Sequence, residues 1–225
     1  MRAILPLDGF HLSQSLRKTL KKDRFRVTCN AAFHQVIQAC AEPRPDADES
    51  WISGRIMASY EKLHRLGHAH SIECWDGERL VGGLYGVSFA RVFCGESMFS
   101  RATDSSKVAL AWLVAALRRG GAELLDCQFI TPHLASLGAV EIPQAEYLRL
   151  LRIAQRPLES GEDVLAAARG VAVASVADEG VGLSEDFGAG LLPAGFAALL
   201  EDAAGAGGPP SSPGNFIAQS LTQTS

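Results

Sequence analysis

Asp126 and Gln128 stand out as polar residues inside an apolar segment. The segment from Leu124 to Ile130 has the composition of a buried strand on either side of them. Alternation along a strand places Asp126 and Gln128 on one face and Cys127 on the other. A buried carboxylate is costly unless it is paired. The two residues therefore form either a structural network or the polar floor of a cleft, and we favour the functional site.

Glu96 is a second candidate for the same cleft. It follows a short predicted strand, Arg91 to Cys94, which precedes a helix and then the Asp126 strand in the chain. Two positions stay equally open for this carboxylate: it lies in the cleft, or it is exposed at a turn. Cys127 is not expected to be a nucleophile, because it points away from Asp126 and the local pattern places no histidine base beside it.

Three histidines, His64, His68 and His70, lie within seven residues. A metal site would need all three side chains to converge on one ion. The predicted elements place them on a helix, beyond its end and on a strand, so we expect hydrogen bonding at that corner and no metal site.

Positive charge is concentrated in the first 30 residues. They carry seven basic side chains and two acidic ones, and since the net charge of the chain is −4, the other residues carry −9. The basic residues are Arg2, Arg17, Lys18, Lys21, Lys22, Arg24 and Arg26. Such a segment is either a phosphate-binding surface or a solvated helix face, and charge alone favours the solvated face.

Composition bounds the class of protein. The 225 residues are 47% hydrophobic and 20% charged, which is typical of one full-sized domain with or without an appendage. A collagen, a disulfide miniprotein and a globally disordered chain are excluded, and no apolar run predicts a transmembrane helix. The five cysteines include no CxxC pair, so we expect reduced thiols and a cytoplasmic protein.

The elements that must position these residues divide the chain into three parts. Residues 1–68 read as a helical lead-in, with helices near 13–22, 30–40 and 51–66; Ser13 or Ser15 is the expected cap of the first and Asn30 of the second. Residues 161–225 are an Ala/Gly-rich extension with a flexible linker at 205–214. After that linker, residues 215–225 are expected to dock as a strand.

Residues 69–160 form the expected core, in the order β-β-β-α-β-α. The fold class is α+β, a mixed and mostly antiparallel sheet with helices on both sides, and this order is similar to that of GNAT-type acyltransferases. The loop before their central helix normally binds the coenzyme A pyrophosphate through glycine-rich N–H groups. Here that loop, residues 100–105, has no glycine and carries Asp104, which argues against coenzyme A as donor.

Long ordered stretches, covering about residues 5–150, resemble one family. They are HLSQSLRKTL, AF..VI..CA from Ala32 to Ala41, SWI, HRLGHAHSIECW, LVGGLYG, FCGESMFSR, SSK, LLDCQ, HLASLGAVEIP and the following EY. On these motifs the chain resembles the leucyl/phenylalanyl-tRNA–protein transferases. The N-terminal domain usual in that family, with its FPW-type motif, has no counterpart here.

The resemblance implies a GNAT-like enzyme that transfers Leu or Phe, with Met as a further donor, from aminoacyl-tRNA to proteins beginning with Arg or Lys. The product is marked for N-end-rule degradation. The implied protein is a monomer without cofactor or membrane. Two alternatives stay open: a CoA-dependent GNAT acyltransferase, and a weak or inactive paralogue that binds tRNA because the N-terminal domain is missing.

The resemblance also implies roles for individual residues of this chain. The resemblance implies a catalytic relay of Asp126 and Gln128, with Glu96 as a further site residue. It implies tRNA backbone contacts by the basic helix residues Arg17, Lys18, Lys21 and Lys22. It also implies a pocket for the leucyl or phenylalanyl side chain, although by pattern alone its aromatic members are core residues. That pocket comprises Trp51, Leu84, Phe93, Leu113, Leu117 and Leu125.

Overall fold

Seven strands form one mixed sheet in the computed structural model, which describes residues 1–43, 50–156, 190–205 and 212–222. The strands are β1 (Arg2–Ile4), β2 (Arg26–Cys29), β3 (Ala69–Asp76), β4 (Arg79–Phe89), β5 (Val92–Ser100), β6 (Leu124–Gln128) and β7 (Val140–Ile142). Their order is β2-β3-β4-β5-β6-β1-β7. Neighbours are antiparallel except β5 and β6, which run parallel.

Helices cover both faces of this sheet. The described helices are α1 (Gln14–Lys21), α2 (Phe33–Ala41), α3 (Gly54–Arg65), α4 (Ser105–Arg119), α5 (Pro132–Ser136), α6 (Gln144–Ala154), α7 (Leu191–Gly205) and α8 (Pro213–Ser220), with a 3-10 turn at Leu7–Gly9. Helices α1, α4, α7 and α8 share one apolar cluster, and α2 and α3 share another. The architecture confirms the predicted α+β class and is consistent with a GNAT-like fold.

Alternation along the strands defines the two faces. Leu84, Phe93 and Leu125 belong to the cluster around α4, and we call their side of the sheet the α4 face. Tyr85 packs with α2 and α3 on the opposite side, the α3 face. Because neighbouring residues of a strand point to opposite sides, Asp126 lies on the α3 face.

The start of α4 is fixed against β4. Ser105 is fully buried, and its Oγ donates to the carbonyl of Val81 at 2.9 Å. A Cβ on Gly82 would collide with the Ser105 side chain, so glycine is required there. The β3–β4 register also shifts beside Gly82, after Cys74. The Gly82–Gly83 pair in this strand therefore lies beside a bulge.

The first 68 residues contain strands as well as helices, which corrects the expected helical lead-in. β1 inserts between β6 and β7, and β2 pairs with β3, so the expected boundary at residues 68/69 runs within one sheet. Strands of three and four residues are too short to show a period. Helices α1 and α3 are confirmed, and Ser13 caps α1 by accepting from Leu16 N at 3.2 Å.

Asn30 does not cap α2. The helix begins at Phe33 after Ala32, and Asn30 instead adopts a left-handed conformation with φ of 60°. Its side chain bridges to β3, accepting from Ser71 N at 3.0 Å and contacting His70 Nδ1 at 3.0 Å. Asparagine tolerates this conformation better than most residues, which explains its place in the loop.

The described parts of the C-terminal extension, residues 190–205 and 212–222, pack on the core. Ile217 and Leu221 are buried beside α1 and α4, and the expected docking strand is the helix α8, which is a correction. Twelve of the 15 residues of α4 are buried. One side of α4 packs on the sheet, and α7 packs against the side that would otherwise face solvent. Most of the predicted linker at 205–214, and residues 161–189 of the extension, lie outside the described residues.

Among the helices that the structure describes, none is long and apolar enough to cross a membrane.

Candidate active site

Asp126 is fully buried at the junction of β1, β5 and β6. The Nε of Arg2 donates to its Oδ1 at 2.9 Å, and a second guanidinium N–H donates to Oδ2. The Tyr147 hydroxyl donates to Oδ2 at 2.9 Å, and the Cys94 thiol lies 3.8 Å from the same oxygen. The desolvated carboxylate is therefore paired with a cation and with neutral donors, which is what makes its burial tolerable.

Gln128 is attached to Asp126 through its backbone. Its N–H donates to Asp126 Oδ1 at 2.9 Å, and its φ of 59° lies in the left-handed region. Phe129 N donates across the same turn to the carbonyl of Cys127 at 2.7 Å. A non-glycine residue in this region stores strain that the surroundings must hold. Asp126 supplies that support through its hydrogen bond with the Gln128 main chain.

The Asp126 carboxylate has few lone pairs left for a substrate. A carboxylate offers about four acceptor sites, and Arg2, Gln128 N and Tyr147 already occupy them. Its hydrogen bonds to Arg2 raise the pKa of that guanidinium, and burial together with the same carboxylate raises the pKa of Tyr147 to about 12. The arrangement suits a residue that holds its neighbours in place.

Glu96 lies inside β5, which extends to Ser100 and is longer than predicted. Tyr85 pairs with Ser97 and Gly86 pairs with Gly95, so Glu96 is the extra residue of a β-bulge. A bulge re-aims a side chain, and here it lets Glu96 sit on the α3 face without displacing the residues that follow. Burial raises the pKa of Glu96, and Asp126 adds to the rise. The structure thus brings Glu96 close to Asp126.

The predicted side-chain pocket is a closed cluster on the other face. Its five core members are almost fully buried, and Phe93 and Leu125 precede Cys94 and Asp126 in their strands. Leu125 also borders a cavity of about 480 Å³ next to β1 and the end of α4. The clustered residues are Leu84, Phe93, Leu113, Leu117 and Leu125.

Trp51 is not brought to that cluster. It lies before α3, and 54% of its surface is exposed, whereas Ile52 beside it is buried in the α2–α3 cluster.

Four basic residues in α1 and at its C-cap, Lys22, form an exposed surface. Leu16 and Leu20 anchor the helix in the core, and the helical period turns the charges to solvent. Those side chains have no ion pair within the described part of the chain. They are Arg17, Lys18, Lys21 and Lys22.

The histidines at the α3–β3 corner have separate partners. His64 Nδ1 contacts the Ala69 carbonyl at 2.7 Å, and its ring stacks on Phe33 at 4.2 Å between centroids. His70 contacts Asn30. No group of three metal-binding side chains occurs in the described ranges.

The thiols of Cys94 and Cys127 are not activated. All five cysteines lie at described positions, and none of them forms a disulfide bond. Burial raises the pKa of Cys94 and of Cys127 to about 12, so both thiols stay protonated at neutral pH.

Sequence reasoning missed Arg2 and Tyr147. Both contact Asp126 from 124 and 21 residues away in the chain, and Arg2 looked like one more member of a basic segment. The only sequence signal was the buried aspartate itself, which requires a cation and donors that the pattern does not name.

Comparison with known proteins identifies the family to which the chain is similar. Residues 4–152 match the family model of leucyl/phenylalanyl-tRNA protein transferase. A leucyl/phenylalanyl-tRNA–protein transferase of Novosphingobium aromaticivorans is 67% identical over all of this chain and 85% of its own length.

Two further relatives with that description match a shorter part. The protein of Zymomonas mobilis is 60% identical over 68% of this chain and 57% of its own length. That of Rhizorhabdus wittichii is 59% identical over 68% of this chain and 62% of its own length. The aligned part thus spans less than two thirds of these two proteins. By the match over residues 4–152 and the identity over its full length, the chain belongs to the leucyl/phenylalanyl-tRNA–protein transferase family.

Proposed function

We propose that this chain transfers leucine or phenylalanine from aminoacyl-tRNA to the N-terminal Arg or Lys of acceptor proteins, as a monomer in the cytoplasm. The observation that carries the proposal is the buried Asp126 holding the strained turn at Gln128, within the stretch that matches the family. Backbone strain kept in place by a desolvated carboxylate is typical of a functional site.

The reaction requires the protein mainly to position its two substrates. The acceptor α-amine attacks the ester carbonyl of the aminoacyl-tRNA, forming the peptide bond and releasing the terminal ribose hydroxyl, which takes up a proton. The ester is already activated. An α-amino group has a pKa of about 7.7–8.0, so about a tenth of it is free base at neutral pH.

The residues then have distinct roles. The Gln128 side chain orients the attacking amine next to the ester. Asp126 keeps the Gln128 turn in its left-handed conformation. Glu96 lies near Asp126 and faces the acceptor protein. The proton passes to the leaving ribose oxygen directly or through the neighbouring ribose hydroxyl, and either path balances the reaction without a strong base.

Donor selection is proposed to use the apolar cluster on the α4 face. Its members close on one another, so a leucyl or phenylalanyl side chain enters only when they separate. Such a pocket discriminates between similar apolar side chains by about 1–3 kcal/mol. Trp51, exposed near α3, is proposed to complete the site with the rest of the set. The cluster residues are Leu84, Phe93, Leu113, Leu117 and Leu125.

Binding of tRNA is proposed to use α1. Its four exposed cations would neutralise backbone phosphates. They are Arg17, Lys18, Lys21 and Lys22.

A transfer assay tests the proposal. Labelled Phe-tRNA and Leu-tRNA are incubated with a peptide that begins with Arg, and the extended peptide is measured. The alternative of a CoA-dependent acyltransferase predicts acetyl-CoA binding instead, and Asp104 at the start of α4, paired with Lys107 at 3.0 Å, speaks against it. Salt-sensitive tRNA binding without any peptide product would indicate the inactive paralogue.

A further inference from the structure

The C-terminal helix α8 packs directly on the end of α1. Gly214 is buried, and a Cβ added there would collide with the Leu20 carbonyl oxygen, so the first turn of α8 touches the backbone of α1. Ile217 and Leu221 bury their side chains in the apolar cluster that contains Leu16 and Leu20. A shift of α8 would therefore reach the last turn of α1 without an intervening layer.

A hydrogen bond joins the two helices at Asp23. Gly214 N donates to Asp23 Oδ1 at 2.7 Å. Gly214 is the second residue of α8, so its N–H has no partner within that helix, and the carboxylate lies at the favourable end of the α8 dipole. The same carboxylate follows the last turn of α1, where the dipole of α1 disfavours a negative charge. The interaction with α8 therefore offsets the unfavourable position of Asp23 behind α1.

The backbone of Asp23 is also strained. Asp23 follows the C-cap Lys22 with φ of 45°, a left-handed conformation in which glycine is the usual residue at the end of a helix. Another residue keeps this conformation only where its surroundings hold it. Asp23 N donates to the Leu20 carbonyl at 2.9 Å, and the bond from Gly214 holds the side chain. Helix α8 thus helps to fix the turn that ends α1.

This turn carries two of the exposed cations of α1. Lys21 is the last residue of the helix and Lys22 is its C-cap, so both come directly before Asp23. No ion pair joins either lysine to Asp23 in the described ranges. The directions of the two side chains follow from the backbone of the turn. Because phosphate contacts fix the register of a bound nucleic acid, a displaced turn would place both cations wrongly.

We propose that α8 is a positioning element for RNA binding, an inference that rests on the proposed function. The contact of Gly214 with Leu20 and Asp23, which we call the α8–α1 contact, holds the turn so that Lys21 and Lys22 meet the tRNA backbone. Helix α8 lies beyond residues 4–152, which match the family model. The support therefore comes from the C-terminal extension rather than from the stretch that the family model describes.

Gly214→Ala tests the α8–α1 contact without a change of charge. The added methyl displaces α8 from Leu20, and we expect the dissociation constant and KM for Phe-tRNA to rise about fivefold. We expect kcat at saturating Phe-tRNA and KM for an Arg peptide to stay unchanged. The assays are run well below the unfolding midpoints, so that folded proteins are compared. Gly205→Ala, where nothing lies within 4 Å of an added Cβ, is the matched control.

Substitutions of Asp23 separate the hydrogen bond from the charge. Loss of a negative charge beside cations should strengthen RNA binding by electrostatics alone, whereas loss of the bond should weaken it. We therefore expect weaker binding in Asp23→Gly, which suits the left-handed backbone but lacks the acceptor. Asp23→Asn keeps an acceptor oxygen for Gly214 N and should bind at least as tightly as the wild type. Unchanged or tighter binding by Asp23→Gly, or equal weakening in both variants, would overturn the role of this bond.

A double-substitution cycle separates this inference from the proposed function. Gly214→Ala is combined with Lys21→Ala and Lys22→Ala, and the affinity for Phe-tRNA is measured over a range of salt concentrations. If α8 acts through the lysines, Gly214→Ala has no further effect once they are gone. A full effect of Gly214→Ala without the lysines, or none in their presence, overturns the positioning role of α8 alone. Wild-type affinity in the lysine variant contradicts the RNA contacts proposed for α1, and with them the positioning role.

Discussion

The guanidinium of Arg2 forms an ion pair with the buried carboxylate of Asp126, with Nε 2.9 Å from Oδ1. Arg2 lies on the short strand β1, and its register against β6 places Ile4 opposite Asp126. The second residue of the chain thereby completes the charge balance of a site whose other members lie between residues 94 and 147.

Loss of this pair should weaken both folding and turnover. In Arg2→Gln the Asp126 carboxylate stays buried without its cation, and we expect a loss of about 2 kcal/mol in the free energy of unfolding. The loss is modest because the Arg2 side chain is 34% exposed and water replaces part of its contribution. Urea denaturation measures the loss. Arg152→Gln, at an exposed position, is the control, and equal midpoints for the two variants would contradict the role of Arg2.

His70 should make the fold sensitive to mild acid. Because Asn30 Oδ1 accepts from Ser71 N, its amide N–H faces His70 Nδ1 and leaves that nitrogen unprotonated. Burial lowers the pKa of His70 from 6.5 to about 4. Below pH 6.5 the unfolded chain binds a proton that the folded chain does not, so stability is lost as pH falls from 6.5 towards 4.

The size of that loss is on the order of 3 kcal/mol by linkage. The measurement is the free energy of unfolding across this pH range in the wild type and in His70→Gln, whose curve should be flatter. His34→Gln alters a histidine that is 68% exposed and should keep the wild-type slope. A wild-type slope in His70→Gln would show that another group causes the acid sensitivity.

The C-terminal helices should be required for full stability. Gly195 on α7 lies against the backbone of α4, and a Cβ there would collide with the Ala116 carbonyl. Gly195→Leu should therefore lift α7 from α4 and separate the rings of Trp112 and Phe196, which lie 5.3 Å apart, and destabilise the protein by about 2 kcal/mol or more. Denaturation midpoints test this. Gly205→Leu, where nothing lies within 4 Å of an added Cβ, should be neutral, and equal effects at both sites would refute the packing.

The cations of α1 should set the salt dependence of tRNA binding. Each lost phosphate contact is expected to reduce the slope of log affinity against log salt by about 0.7–0.9. Lys21→Ala with Lys22→Ala should thus weaken aminoacyl-tRNA binding and flatten that slope, without a change in the unfolding midpoint. Lys62→Ala with Arg65→Ala removes the same charge from α3. If both pairs flatten the slope equally, the effect comes from net charge alone.

The sequence predicted long periodic elements well and short ones poorly. Helices α1 and α3 were predicted close to their observed bounds because eight and 12 residues give a helical period, whereas β1, β2 and β7, each of three or four residues, show none. Glu96 was expected at a strand end because a bulge breaks the alternation of β5. That bulge is defined only by the partner strand β4.

The site was predictable where a residue is unusual for its place. A carboxylate among Leu124, Leu125 and Phe129 signals pairing, so Asp126 could be singled out. Its partners Arg2 and Tyr147 are ordinary for their positions, and only the sheet order brings them together. The packing of α7 against α4 could not be predicted either. A helix that is apolar on all sides has a sequence pattern close to that of an amphipathic helix with a wide apolar face.

Turnover of Asp126→Asn tests the central claim most directly. This isosteric change removes the charge that holds Arg2 and Tyr147 and replaces an acceptor of the Gln128 N–H, while leaving the residue's volume unchanged. At saturating Phe-tRNA and Arg-peptide, we expect transfer to fall about a hundredfold or more, in a protein whose circular dichroism still shows the native fold. A folded Asp126→Asn variant that transfers phenylalanine at the wild-type rate would contradict the account.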